Sequence, residues 1–174
     1  MVHADASNFN EGVTKEDAYE QVLLQAEGLF YDQRNWQPFE RSVSAVARLP
    51  ISASAQQSRF YVLDPSAAKP QLILGPFQGK VACQIIAFGR GVCGVAAESQ
   101  TTQLVQDVEQ FPGHIACDSE SKSEIVVPIV ADKDGEEKVV AIIDVDCAEL
   151  NGFDEVDKKN LEQLAELIGK SCDW

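Results

Sequence analysis

Apolar residues return every three or four positions after Thr14, at Ala18, Val22, Leu23, Ala26 and Leu29, while Lys15, Glu16, Glu20 and Glu27 take the other side. That spacing predicts an amphipathic helix from Thr14 to Phe30, and Thr14 with Asp17 three residues on predicts its N-cap. From Arg34 to Ser58 the pattern weakens: Pro38 and Pro50 interrupt it, and the run ISASAQQS offers little to a core. RFYVLD (59–64) and QLILG (71–75), separated by PSAAKP, predict an antiparallel hairpin with a longer loop. Lys80 to Phe88 suits a strand or a short helix, Val92 to Ala97 can open a helix, Leu104 to Val108 is a short apolar segment, and FPGH (111–114) reads as a turn. The clearest strands are Ser123 to Val130 and Lys138 to Asp146, with Lys133-Asp134-Gly135 as the hairpin turn between them. Asp154 then caps a closing helix whose apolar side carries Val156, Leu161, Leu164, Ala165, Leu167 and Ile168, with an end near Gly169.

This order of elements predicts an α+β fold in which N- and C-terminal helices pack on one antiparallel sheet. No repeat or linker divides the chain, so the expected organisation is a polar tail over 1–13 and a single domain over 14–174. At 174 residues, 45% of them hydrophobic, one domain can bury a core. Acidic residues number 28 against 14 basic ones, a net charge of -14, and a field of that sign repels nucleic-acid phosphates and anionic membrane surfaces. No apolar run approaches the roughly 20 residues of a membrane helix, and Met1 to Val13 lacks the basic-then-apolar order of a leader. A cytoplasmic protein without nucleic-acid or membrane partners is expected.

Five cysteines, an odd number without a secretion signal, point to chemistry rather than to a disulfide framework. Cys83 and Cys93 are too far apart for a zinc pair, and the only histidines are His3 and His114, so no metal site is expected. Cys83 and Cys93 lie in KVACQIIAFGRGVCGVAA and Cys117 in PGHIACDSESKSEIVVPI, each in or beside a turn-rich stretch. A free cysteine is commonly just a small buried hydrophobe, a reading that is harder to sustain for three in such settings. Carboxylates form a second cluster. Asp118, Glu120 and Glu124 follow Cys117, and Asp144 and Asp146 project to one face of the last strand because they are two residues apart. Two same-face carboxylates at the end of an apolar strand either reach solvent or bind a cation, whether a metal or an ammonium group. His114, three residues before Cys117, either lowers that thiol's pKa or fills a turn.

LILGPFQGKVAC, FGRGVCGVAA, PGHIACDSESKSEIVVPI, AIIDVDC and the ending GFDEVDKKNLEQLAELIGKSC closely resemble the motif blocks of free methionine-(R)-sulfoxide reductases. The resemblance is dense from Leu72 to Cys172 and implies a GAF-like single domain. It implies reduction of free L-methionine-(R)-S-oxide to L-methionine: a thiolate attacks the sulfoxide sulfur, methionine leaves, and the resulting sulfenic acid condenses with a second thiol. Residue by residue, Cys117 corresponds to the nucleophile and Cys83 or Cys93 to the resolving thiol, Cys93 also being a candidate for a directly essential role. Cys147 and Cys172 are expected to remain thiols. Glu124, Asp144 and Asp146 correspond to the carboxylates that hold the substrate, with a buried one among them as proton source, and Tyr61 to a further substrate contact. No bound cofactor is implied. Thioredoxin is the expected reductant, with NADPH supplying electrons only indirectly, and a homodimer is compatible with the sequence.

The resemblance breaks at QQSRFYVLD. The family strand reads Asn-Trp-x-Gly-Phe-Tyr; Phe60 and Tyr61 remain, but Gln57 stands at the tryptophan, and the family's preceding apolar and aromatic helix is not recognisable between Asn35 and Gln57. Trp36 lies too far upstream to substitute. The alternative function is a non-catalytic GAF module that binds a small ligand or senses oxidation through the same thiols.

Overall fold

The computed structural model of the protein describes residues 13–32, 34, 55–80 and 82–174. Apart from Val13, the expected tail lies outside the described residues, as does the weakly patterned stretch over 35–54 with Trp36.

The first helix, α1 (Lys15–Phe30), begins where Thr14 accepts the backbone N–H of Asp17. Its buried side is Ala18, Tyr19, Val22, Ala26 and Phe30; Leu29, expected inside, is exposed, because the two aromatics rather than the leucine complete the stripe. Strands β1 (Ala55–Leu63), β2 (Gln71–Gln78) and β3 (Ile85–Ala87) follow, then helix α2 (Gly91–Ser99) and strand β4 (Gln103–Val105). A single 3-10 turn over Val108–Gln110 leads to the long hairpin of β5 (Ser123–Lys133) and β6 (Glu136–Cys147). Asp134 and Gly135 both take positive φ, the turn geometry that matches the twist of the flanking strands.

The closing helix, α3 (Glu155–Ser171), has a reciprocal cap: Asp154 accepts from the N–H groups of Val156 and Asp157, and Asp157 accepts from the N–H of Asp154. It ends at Ser171, two residues past Gly169. That glycine lies in the last turn against the carbonyl of Val130, where a Cβ would sit only 2.1 Å from the oxygen, so it permits close packing on β5. Asp157 also binds α1, accepting from Tyr19 OH at 2.8 Å and from Lys15 Nζ at 2.7 Å.

All strand neighbours are antiparallel, in the order β3-β2-β1-β6-β5-β4. The α+β expectation and the packing of both terminal helices on the sheet match this architecture. Strand alternation divides the interior in two. One face turns Phe60, Ile125, Val127, Ile143 and Val145 toward α1 and α3. The other turns Tyr61, Val126 and Ile142 toward α2, with Val92, Cys93, Ala96 and Ala97 packed against them.

Candidate active site

The strand pairing places the polar residues before any side chain is considered. Gln57 lies opposite Asp146 across β1 and β6, and Asp146 lies opposite Glu124 across β6 and β5; one step along, Arg59 lies opposite Asp144. All five project to the α2 face. They line a cavity of about 250 Å³ with Cys83, Cys93, Cys117, Asp118 and Ser121, except that Gln57 stands just behind it, bonded to two lining residues. Three cysteines and four carboxylates from β5, β6, α2 and two loops thus meet at one place.

Cys83 and Cys117 form a disulfide with a Cα–Cα distance of 5.6 Å. Cys93, Cys147 and Cys172 are free and buried. Cys147 and Cys172 belong to the opposite core, whereas Cys93 lies in the first turn of α2 and donates to Glu124 Oε1 at 3.5 Å. Burial, followed by the charges of Asp144 and Glu124, pushes the Cys93 thiol well above its usual range, so it is a neutral S–H at neutral pH.

The carboxyls divide by environment. Burial first, and then the charges of Asp144 and Asp146, hold Glu124 well above the usual carboxyl range. Asp144 is raised to about 7 by burial and by Asp146, against the opposing pull of Arg59. With both groups ionised, Asp144 Oδ1 would be a buried acceptor without a donor; a proton on Glu124 supplies the donor. Asp146 accepts from Ser121 Oγ at 2.6 Å and from Arg59 Nη1. Cys93, Glu124 and Asp144 also bring three potential metal-ligand atoms within 4.8 Å of one another, but the Arg59 cation beside Asp144 opposes a second positive charge there.

Arg59 is the residue that sequence reasoning missed. It is 1% exposed, and its Nη1 bonds Asp144 Oδ2 at 3.2 Å as well as Asp146, while its Nη2 bonds Gln57 Oε1. Burial alone would favour the neutral form, but Asp144 and Asp146 outweigh it and keep the guanidinium firmly charged. A signal existed: laying Asn-Trp-x-Gly-Phe-Tyr on residues 56–61 puts its glycine at Arg59, so a long cation stands where no side chain is expected. Gln57 donates in turn to Asp118, whose carboxylate also receives the Glu120 N–H. Tyr61 is buried on the same face but is not among the residues lining the cavity; it backs Cys93 in the wall behind it. His114 does line the cavity.

The GAF domain pattern matches residues 39–171. The free methionine-R-sulfoxide reductase of Saccharomyces cerevisiae is 50% identical over 173 residues, 98% of this chain and 94% of the yeast protein. Among solved structures, the Neisseria meningitidis free methionine-R-sulfoxide reductase in complex with its substrate superposes with a TM-score of 0.80 at 36% identity, covering 92% of each chain. The Staphylococcus aureus fRMsr in complex with substrate gives a TM-score of 0.76 at 38% identity over 88% of this chain and 94% of that one. Built on the same fold, with its thiols and carboxyls around one cavity, the chain belongs to the free methionine-R-sulfoxide reductase family of GAF-domain proteins.

Proposed function

We propose that the protein reduces free L-methionine-(R)-S-oxide to L-methionine in the cavity between α2 and the sheet. The observation that carries this reading is the Cys83–Cys117 disulfide opening on the same cavity as the buried Glu124 and the Asp144–Asp146 pair. In the reduced protein the Cys117 thiolate attacks the sulfoxide sulfur as the oxygen takes a proton from Glu124. The S–O bond is exchanged: methionine leaves with its sulfur reduced, and Cys117 carries the hydroxyl as a sulfenic acid. Cys83 then attacks that sulfur and water leaves, which gives the observed disulfide. Cys93, neutral and bonded to Glu124, orients the acid rather than attacking. An external dithiol returns the disulfide to two thiols, and thioredoxin in the cytoplasm is the reductant we infer.

Asp144 and Asp146 supply the charge that a free α-ammonium group seeks. The test is NADPH consumption coupled through thioredoxin and its reductase, with separated R and S epimers of free methionine sulfoxide. Turnover of the R epimer alone is expected. Equal turnover of both, or none with either, overturns the assignment.

A further inference from the structure

The carboxylates that face the cavity already hold a cation, and the chain itself provides it. Arg59 Nη1 contacts Asp144 Oδ2 and Asp146 Oδ2, so the guanidinium occupies the oxygens that an incoming ammonium group would use. Both ions are buried, and the other acidic side chains on the cavity of about 250 Å³ have partners of their own, Asp118 in Gln57 and Glu124 in Cys93. A like charge placed beside a buried guanidinium is repelled far more strongly than in water. Binding of a free amine therefore requires the guanidinium to move away.

We propose that Arg59 is an internal stand-in for the substrate's ammonium group and the specificity-determining residue of the pocket, penalising ligands with a free amine relative to ligands that are neutral at that end. The inference rests on the reading of the cavity as a sulfoxide pocket. Two further observations support it. Arg59 Nε is buried without a partner among the described residues, so the guanidinium is not saturated as a purely structural ion pair would be. Its position is also tethered: Gln57 holds Nη2 and is itself bonded to Asp118, the neighbour of Cys117 in the disulfide. Displacement of the guanidinium thus disturbs a chain of contacts that ends beside the redox cysteine.

The experiment compares Arg59→Ala and Gln57→Ala with the unaltered chain. For each, kcat and KM are measured with free methionine-R-sulfoxide and with N-acetylmethionine-R-sulfoxide, together with the rise in melting temperature caused by free methionine. Arg59→Ala is expected to lower KM for the free sulfoxide by about tenfold or more, the scale of one charge contact, with kcat little changed and KM for the acetylated one unmoved. The methionine-induced melting shift should grow, because the ligand then neutralises carboxylates left without a counter-ion. Gln57→Ala keeps the cation and cuts its tether, so KM for the free sulfoxide should fall by a smaller factor; this variant decides the matter if Arg59→Ala does not fold. An unchanged or raised KM for the free sulfoxide overturns the proposal, a rise meaning that Arg59 receives the substrate's carboxylate instead. If no form turns over any sulfoxide while Arg59→Ala still enlarges the methionine-induced shift, the reductase reading falls and the role of Arg59 stands.

Discussion

The two faces of the β1-β6-β5 strands are built from alternate residues of the same segments and have opposite chemistry. Toward α1 and α3 the strands present Phe60, Ile125, Val127, Ile143, Val145 and Cys147, an apolar layer that closes completely under two amphipathic helices. One residue along, toward α2, they present Arg59, Glu124, Asp144 and Asp146, all of them buried. A buried charge without compensation costs several kcal/mol, so the second face persists only because Arg59, Ser121 and a retained proton satisfy its carboxyls. One face carries the stability and the other spends some of it on chemistry. The contrast implies that substitutions on the two faces separate activity from folding.

The largest effect belongs to the site. Cys117→Ser should abolish sulfoxide turnover while the melting curve under reducing conditions is retained, because the lost sulfur serves the reaction and not the packing. A reduced variant that still turned over substrate would move the nucleophile to another thiol. Glu124→Gln comes next: the amide keeps the shape and the neutral state of the protonated acid but has no proton to give, so kcat should fall on the order of 10²- to 10⁴-fold with folding intact. Single-turnover kinetics at constant pH measures this, and an unaltered kcat would leave Glu124 as a spacer. On the opposite face, Ile143→Ala should cost about 2–5 kcal/mol by urea denaturation through the cavity it leaves, with kcat unaffected for the folded fraction. Loss of kcat in the folded fraction would show that the two faces are not independent.

Legibility in the sequence follows the same divide. The β5–β6 hairpin could be read because long β-branched runs flank an Asp-Gly turn, and α3 because Asp154 and its apolar stripe define it; both depend on local pattern. The shared face of Asp144 and Asp146 follows from spacing alone. Arg59 could not be placed that way: it matters because β1 pairs with β6 in a register that sets it opposite Asp144, a contact across 85 residues that no local period encodes. The buried Tyr19 and Phe30 and the exposed Leu29 have a similar origin, since α3 decides which residues of α1 are covered. The cysteines were singled out by their turn-rich setting; family resemblance grouped them and narrowed the partner of Cys117 to Cys83 or Cys93, and the structure selects Cys83.

The smallest predicted effect concerns pH and tests the cost of the charged face directly. Asp144 has its pKa raised from an ordinary aspartate value to about 7, by burial and then by Asp146, and Glu124 is shifted in the same direction. In each case the folded protein holds a proton that the unfolded chain has released. The stabilisation from that proton is fully present below the unfolded pKa and is lost as pH rises through the folded one. Between about pH 5 and 8 the carboxyl pair should therefore lower stability, with a slope that for one proton does not exceed about 1.4 kcal/mol per pH unit. The aliphatic side chains of the opposite face contribute nothing to this slope. Carboxylates with lowered pKa, Asp118 and Asp154, lose their contribution only at more acidic pH, so they do not mask the trend. Asp144→Asn should flatten the profile over this window, because an amide neither binds nor releases the proton. Urea denaturation at half-unit pH steps on both forms measures the difference. A profile that rises with pH in the unaltered chain, or equal slopes in the two, would mean that Asp144 is ionised throughout and fully neutralised by Arg59.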